Sequence, residues 1–395
     1  MTSPARIIQV GVNGYGRHHL EAIAETEALG RARLVAAVDP APGEFGGVPV
    51  HDTLEQALAL HDADVVSIAT PIGTHAELAI LALEHGADVL LEKPPTASLS
   101  EFRALLAVAE RTGRAVQVGF QALGSDGVDV LQTALADGLV GDHARVVAWG
   151  EWSRSVGYYN RSPWAGHRVF NGRRVADGAV TNPLAHAVAS ALAIAGAQRA
   201  DQVRWVDTEL YRAHDIDTDD TAWVEVGTTV GVPVQAVLTL CAPTDGPDPS
   251  PRVAVIGDRG SVTFRYTDDE VDWRLADEAE RTERVSRQTL LANLLDHREH
   301  GVALLAPLVE TGAFMCVLEA SQTAPEPRSV EQRFVDWTGE GDGRTPVIHG
   351  ITETVAAVVR EGRPWSAAGA PWASAFPLRW VPLSRAVGTA HPGGS

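Results

Sequence analysis

Lysine is almost missing from this chain. Lys and Arg together number 32 in 395 residues, and all but Lys93 are arginine. Pressure against lysine codons explains the arginines, and chance could explain one survivor. A functional demand explains it better, because an ammonium can give up its proton or shift its pKa when desolvated, whereas guanidinium stays charged. Cysteine is scarce too. Cys241 and Cys316 both lie in apolar segments, which excludes a disulfide framework and reads as a cytoplasmic chain. No apolar run reaches the roughly 18 residues that span a bilayer. A strand pattern begins within the first residues and leaves no room for a signal peptide. Positive charge is short overall: 51 acidic side chains give a net charge of -19, which argues against nucleic acid and anionic membranes as partners.

What is present is a rhythm. Strand patterns at 7–12, 33–38, 64–69, 88–91 and 115–119 alternate with helical stretches over the first 120 or so residues. A short helix is expected from Thr53 to Leu60, and Thr74 and Ser98 or Ser100 stand where helix caps belong. Strands spaced by helices make parallel βαβ units, so a doubly wound Rossmann sheet is expected over 1–123. After residue 124 the pattern changes to neighbouring strands at 203–212, 221–226, 234–241, 252–256 and 261–266. That predicts a separate α+β domain over 124–390 with a large antiparallel or mixed sheet. The stretch from Ala242 to Ser250 reads as a surface loop, and 391–395 as a disordered tail.

The first strand runs into Gly11-Val12-Asn13-Gly14-Tyr15-Gly16 and then a helix, the setting a dinucleotide fingerprint requires. The glycines depart from the G-x-G-x-x-G spacing, and a plain tight turn is the competing reading. Asp39 favours the nucleotide. It ends the second strand, where a carboxylate accepts ribose hydroxyls of NAD and repels a 2′-phosphate. Arg17 in the turn is the only nearby group to welcome that phosphate, so NAD is expected and NADP possible. Lys93 follows the strand 88–91, and ligands of open α/β sheets bind at such carboxyl ends.

In the second half, Asn182 reads as an N-cap and Pro183 as the first residue of a helix running to Ala195. His186 then falls in the first turn, where the helix dipole disfavours imidazolium and keeps the ring available as a base. The loop 150–174 carries Trp152, Tyr158, Tyr159, Arg161, Trp164, His167 and Arg168. Aromatics with interspersed donors suit a sugar ring, and Tyr159, Arg161, Trp164 and His167 are the substrate candidates. An ordinary surface loop with packed aromatics is the alternative. No metal site is expected: Asp215, Asp217, Asp219 and Asp220 miss the calcium-loop pattern, and His297 and His300 lack a third ligand.

The glycine turn, Ala69-Thr70-Pro71 with His75, Glu92-Lys93-Pro94, and the stretch Val253 to Val262 together resemble the glucose–fructose oxidoreductase and inositol dehydrogenase family (Gfo/Idh/MocA). The resemblance is most specific from Ile7 to about Gln121. It implies a cofactor site from Gly14, Tyr15, Gly16, Arg17, Asp39, Thr70, Pro71, His75, Glu92 and Lys93, and often a cis bond before Pro94. In that family the lysine works beside a downstream Asp-x-x-x-His. Here Asn182 replaces the aspartate and His186 is retained, so Lys93, His186 and Asn182 are the catalytic candidates. An amide cannot take up a proton, which leaves hydrogen bonding as the role for Asn182. The implied activity is hydride transfer between a nicotinamide cofactor and a secondary alcohol of a sugar, polyol or glycoside. A homodimer or homotetramer is the implied assembly. A glycosidase or epimerase using transient oxidation employs the same residues, and a non-catalytic NAD-binding sensor is the reading from another class.

Overall fold

The computed structural model describes residues 3–41, 45–244, 250–374 and 377–382. They divide into two compact units, of which the first comprises 1–126, 171–175 and 286–311. Its sheet contains β1 (Ala5–Val10), β2 (Ala32–Val38), β3 (Val50–His51), β4 (Val65–Ile68), β5 (Asp88–Leu91) and β6 (Val116–Val118). All neighbours are parallel, in the order β3-β2-β1-β4-β5-β6. This is the Rossmann order, with its reversal between β1 and β4. Strands β4 and β5 are buried at every position, as apolar runs covered on both faces must be.

The helices are α1 (Gly16–Ala28), α2 (Leu54–Leu60), α3 (His75–Glu84) and α4 (Leu99–Thr112). Gly16, His19, Ile23 and Thr26 form the buried stripe of α1, spaced for one helix face. Thr53 caps α2 through the Gln56 amide, and Ser98 caps α4 through that of Glu101. The expected Thr74 cap is not made. Its hydroxyl donates instead to the Pro71 carbonyl, 2.8 Å away, and pairs with the Thr70 hydroxyl.

The second unit comprises 127–170, 176–285 and 312–395. Helix α5 (Gly127–Ala136) leads into β7 (Arg145–Glu151), and α6 (Ala185–Ile194) precedes β8 (Val203–Arg212), β9 (Thr221–Thr228) and β10 (Val234–Thr239). Next come β11 (Arg252–Gly257) and β12 (Gly260–Arg265), then two strands that alternation did not announce, β13 (Glu270–Leu275) and β14 (Arg281–Arg284). The ten-stranded sheet runs β14-β13-β12-β11-β7-β10-β9-β8 before two short edge segments at 328–329 and 378–380. It is mixed: β7 lies parallel to β10 and antiparallel to β11. Helix α6 packs on this sheet at β7, β10 and β11.

The expected boundary needs one correction. Residues 286–311, placed by the sequence within the second domain, belong to the first unit. Helix α7 (Leu290–His300) brings Asn293 to the buried Gln117 side chain at 2.6 Å, and Arg298 pairs with Asp88 and Asp64. Contacts so distant in sequence leave no local pattern. Positions 245–249 of the expected loop, and the expected tail, lie outside the described residues. Among the described residues no helix is long and apolar enough to cross a membrane.

Candidate functional site

In the first unit the site starts at the glycine turn. Gly11 has φ +81°, and a Cβ there would meet the Ala69 carbonyl oxygen at 2.4 Å. A Cβ on Gly16 would meet the Gly11 carbonyl oxygen at 2.2 Å. These two glycines let the chain end β1 against β4 and start α1 at once. Position 13 is open, and its asparagine is used: Nδ2 donates to Asp39 Oδ2 at 3.3 Å and to the Ala41 carbonyl at 3.0 Å. The departure from glycine spacing thus stabilises the acidic residue. Asp39 also accepts the Val12 amide at 3.0 Å and the Ala41 amide at 2.9 Å, which fixes its carboxylate beside the turn.

A cleft of about 550 Å³ opens here, lined by Gly11, Asn13, Asp39, Thr70, Pro71 and Leu78 among others. It has an apolar wall and a fixed carboxylate, and the glycine turn at its edge leads into α1, whose start no side chain caps. A helix start of this kind suits a phosphate, and the carboxylate suits a ribose. The residues present therefore fit an adenine dinucleotide. Arg17 and Tyr15 are exposed beside the turn. Partial desolvation by the surrounding protein and the nearby Glu92 charge push the Tyr15 phenol up to about 12, so it stays protonated.

Two residues matched to the cofactor site act beneath it instead. The His75 ring is buried, with Nδ1 2.8 Å from the Pro94 carbonyl and Nε2 2.8 Å from that of Thr70. It ties the cleft wall to the segment after Lys93. Burial holds its pKa below the ordinary histidine value, although both carbonyls favour the charged ring. Glu92 is also buried. Its Oε1 accepts from His19 Nε2 at 3.2 Å and Gln121 Nε2 at 3.0 Å, and Oε2 accepts the Lys93 amide at 2.9 Å. Burial works to raise this carboxyl, but the His19 hydrogen bond, the His19 and Lys93 charges and the Gln121 amide hold it below its usual value. His19 and Gln121, not singled out from sequence, therefore anchor the lysine's backbone. Lys93 is half-buried at the carboxyl end of β5, and the Lys93–Pro94 bond is cis, as the resemblance implied.

In the second unit, α6 begins at Ala185, not Pro183. Asn182 is therefore no cap. Its Nδ2 donates to Asp177 Oδ1 at 2.5 Å, and Asp177 is fully buried. His186 keeps its place in the first turn, half-buried, with its ring centroid 6.3 Å from that of Tyr266. Tyr266 was not foreseen from sequence; burial pushes its phenol well up, so it remains neutral.

The substrate candidates divide. Tyr159 is buried, its ring 4.7 Å from that of His214, and offers no face to a sugar. Arg161 lies over Tyr158 at 3.9 Å and Trp164 at 4.9 Å, and pairs with Asp177 at 2.6 Å. His167 Nδ1 pairs with Asp217 at 2.7 Å at the surface. Asp220 and Asp219, weighed as calcium ligands, serve the interior. Ligand atoms of His214, Asp220 and Cys241 lie within 4.8 Å of one another, a group that could hold a metal ion. However, Asp220 Oδ2 already accepts the Ala213 and His214 amides and His214 Nδ1. Burial and the Asp220 charge push the Cys241 thiol well up, so the trio reads as a hydrogen-bonded core cluster.

Together, a parallel sheet with a dinucleotide cleft and a mixed-sheet unit define a Rossmann-type nucleotide-binding protein. Residues 5–120 match the model of the Gfo/Idh/MocA oxidoreductases, described as "Oxidoreductase family, NAD-binding Rossmann fold". Over that stretch the chain is similar to the NAD-binding domain of this family. It is 32% identical over 127 residues to scyllo-inositol 2-dehydrogenase (NAD(+)) of Bacillus subtilis, covering 30% of this chain and 36% of that one. It is 36% identical over 123 residues to a glycosyl hydrolase family 109 protein of Streptomyces niveus, covering 31% and 24%. The chain thus spans well under half the length of these curated relatives. The fold of the WlbA dehydrogenase of Bordetella pertussis, solved with NADH and UDP-GlcNAcA, matches with a TM-score of 0.65 at 21% identity. That match covers 80% of this chain and 95% of the other.

Two expected results follow from this geometry. Asp39→Ser should bind NAD on the order of tenfold more weakly, the worth of a charged hydrogen bond, and its advantage over NADP should narrow. Titration of both cofactors measures this; a wild type that prefers NADP would move the phosphate to Arg17. Asn182→Asp sets a second carboxylate on Asp177, and like charges at that distance cannot both ionise. The raised carboxyl pKa makes the cost absent in acid and growing as pH rises through the carboxylate range. The variant's Tm should therefore match wild type near pH 4 and fall several degrees below it near pH 7. Thermal melts across that range decide; equal Tm at neutral pH sinks the Asp177 contact.

Proposed function

We propose that this chain is an NAD-dependent oxidoreductase acting on a secondary alcohol, or the matching ketone, of a sugar, polyol or glycoside. The observation that carries the reading is the sole lysine at the carboxyl end of β5, its amide held by Glu92, in a domain whose cleft fits NAD. Hydride acceptance is the chemistry that NAD supplies when bound. In the oxidising direction His186 takes the hydroxyl proton, and Lys93 donates a hydrogen bond that steadies the alkoxide as it develops. Loss of that proton and of the carbon-bound hydride leaves the ketone. Asn182 orients rather than titrates, since its amide is spent on Asp177. Transient oxidation in a glycosidase is a second reading, favoured by the likeness to the family 109 protein. A panel of sugars, polyols and glycosides with NAD and NADP, following NADH absorbance and product identity together, tests both. Net NADH supports the first, product without net NADH the second, and neither signal overturns both in favour of a sensor.

A further inference from the structure

The loop after β7 contains a second arginine that the sugar-loop expectation passed over. Arg154 lies over the Trp152 ring at 4.7 Å and the Tyr158 ring at 5.1 Å. Arg161 covers Tyr158 at 3.9 Å and Trp164 at 4.9 Å, so rings and guanidinium groups alternate through Trp152, Arg154, Tyr158, Arg161 and Trp164. The two arginines differ in charge balance. Arg161 has the buried Asp177 at 2.6 Å. Arg154 donates Nη1 to the Ser153 carbonyl at 3.0 Å, its buried Nε has no acceptor, and among the described residues no carboxylate pairs with it.

We infer that Arg154 and the Tyr158 hydroxyl form an oxyanion subsite that selects a sugar bearing a carboxylate or phosphate group. The inference rests on the oxidoreductase reading and names its substrate class. A guanidinium held between two aromatic faces loses its freedom to rotate and presents its edge donors in one plane, the geometry that a carboxylate or phosphate accepts. Two guanidinium groups and one carboxylate leave the ladder one positive charge in excess, within a chain of net charge -19. Burial and the Asp177 charge raise the Tyr158 phenol against the two arginine charges and a hydrogen bond with Arg154, so it remains protonated beside that arginine. The subsite is wired to the catalytic helix: Asp177 Oδ1 receives both Arg161 Nη2 and Asn182 Nδ2, and Asn182 lies four residues before His186. A polar group held at Arg154 therefore has a fixed relation to the start of α6.

The test uses the full chain loaded with NAD. Calorimetric titrations with glucuronate, glucose phosphate and neutral glucose measure binding, and NADH absorbance measures turnover separately. The expected result is an acidic sugar bound at least tenfold more tightly than glucose, with affinity falling as salt rises. The arm that binds tells carboxylate from phosphate. Arg154→Gln should remove about tenfold or more of the acid preference, and Arg154→Lys should keep part of it; NAD binding and melting reports that each variant is folded. If Arg154→Gln fails to fold, the wild-type preference and its salt dependence still decide. Glucose bound or turned over as well as both acids overturns the subsite and leaves the oxidoreductase standing. An acid bound through Arg154, with neither NADH nor product formed from it or from the wider panel, overturns the oxidoreductase and leaves the subsite standing. No binding by any of the three overturns the subsite.

Discussion

Lys93→Arg should turn over substrate on the order of a hundredfold or more slowly than wild type, the range for displacing a donor positioned on a developing oxyanion, with NAD binding retained. Net charge is the same in both proteins, so the loss isolates what an ammonium does and a guanidinium cannot. Glu92 accepts the residue 93 amide, not the side chain, so the backbone anchor survives the substitution. Steady-state kinetics with a substrate from the panel decides, and near-normal kcat reduces Lys93 to a codon accident.

His186→Ala should lose kcat on a similar scale, about a hundredfold, with NAD affinity unchanged. The ring stands in the first turn of α6 beside the buried Tyr266, and the substitution leaves the helix its alanine-rich stripe. Free imidazole should restore part of the lost turnover, which a merely structural histidine would not allow. Full activity in the variant removes His186 from the mechanism.

The Rossmann half was legible because its signals are local. Apolar runs of strand length, Ser98 at a cap, and Asp39 at a strand end each speak within a few residues. The second unit was legible as alternating strands but not as their order, since β7 pairs with β10 and β11 across about a hundred residues. Asn182 shows why the site was harder. An asparagine before a proline and an apolar stripe is a sound cap by propensity, yet the buried Asp177 claims its amide and α6 starts later. His75 and Glu92 were matched to the cofactor, and the structure turns both side chains inward as braces. Tyr159 and Tyr158 are adjacent in sequence with opposite fates, one packed on His214 and the other between two arginines. No periodicity distinguishes them. Arg154 escaped notice because an unpaired charge is defined by what is absent around it in space.

The half-buried setting of Lys93 also makes it a spectroscopic handle. With no other ε-amine in the chain, reductive methylation with isotopically labelled formaldehyde would place one side-chain resonance in the protein, at the carboxyl end of β5. Apart from the α-amine, nothing else would answer. A single line could then follow cofactor and substrate arriving one after the other, in an ordinary solution and without mutating a residue.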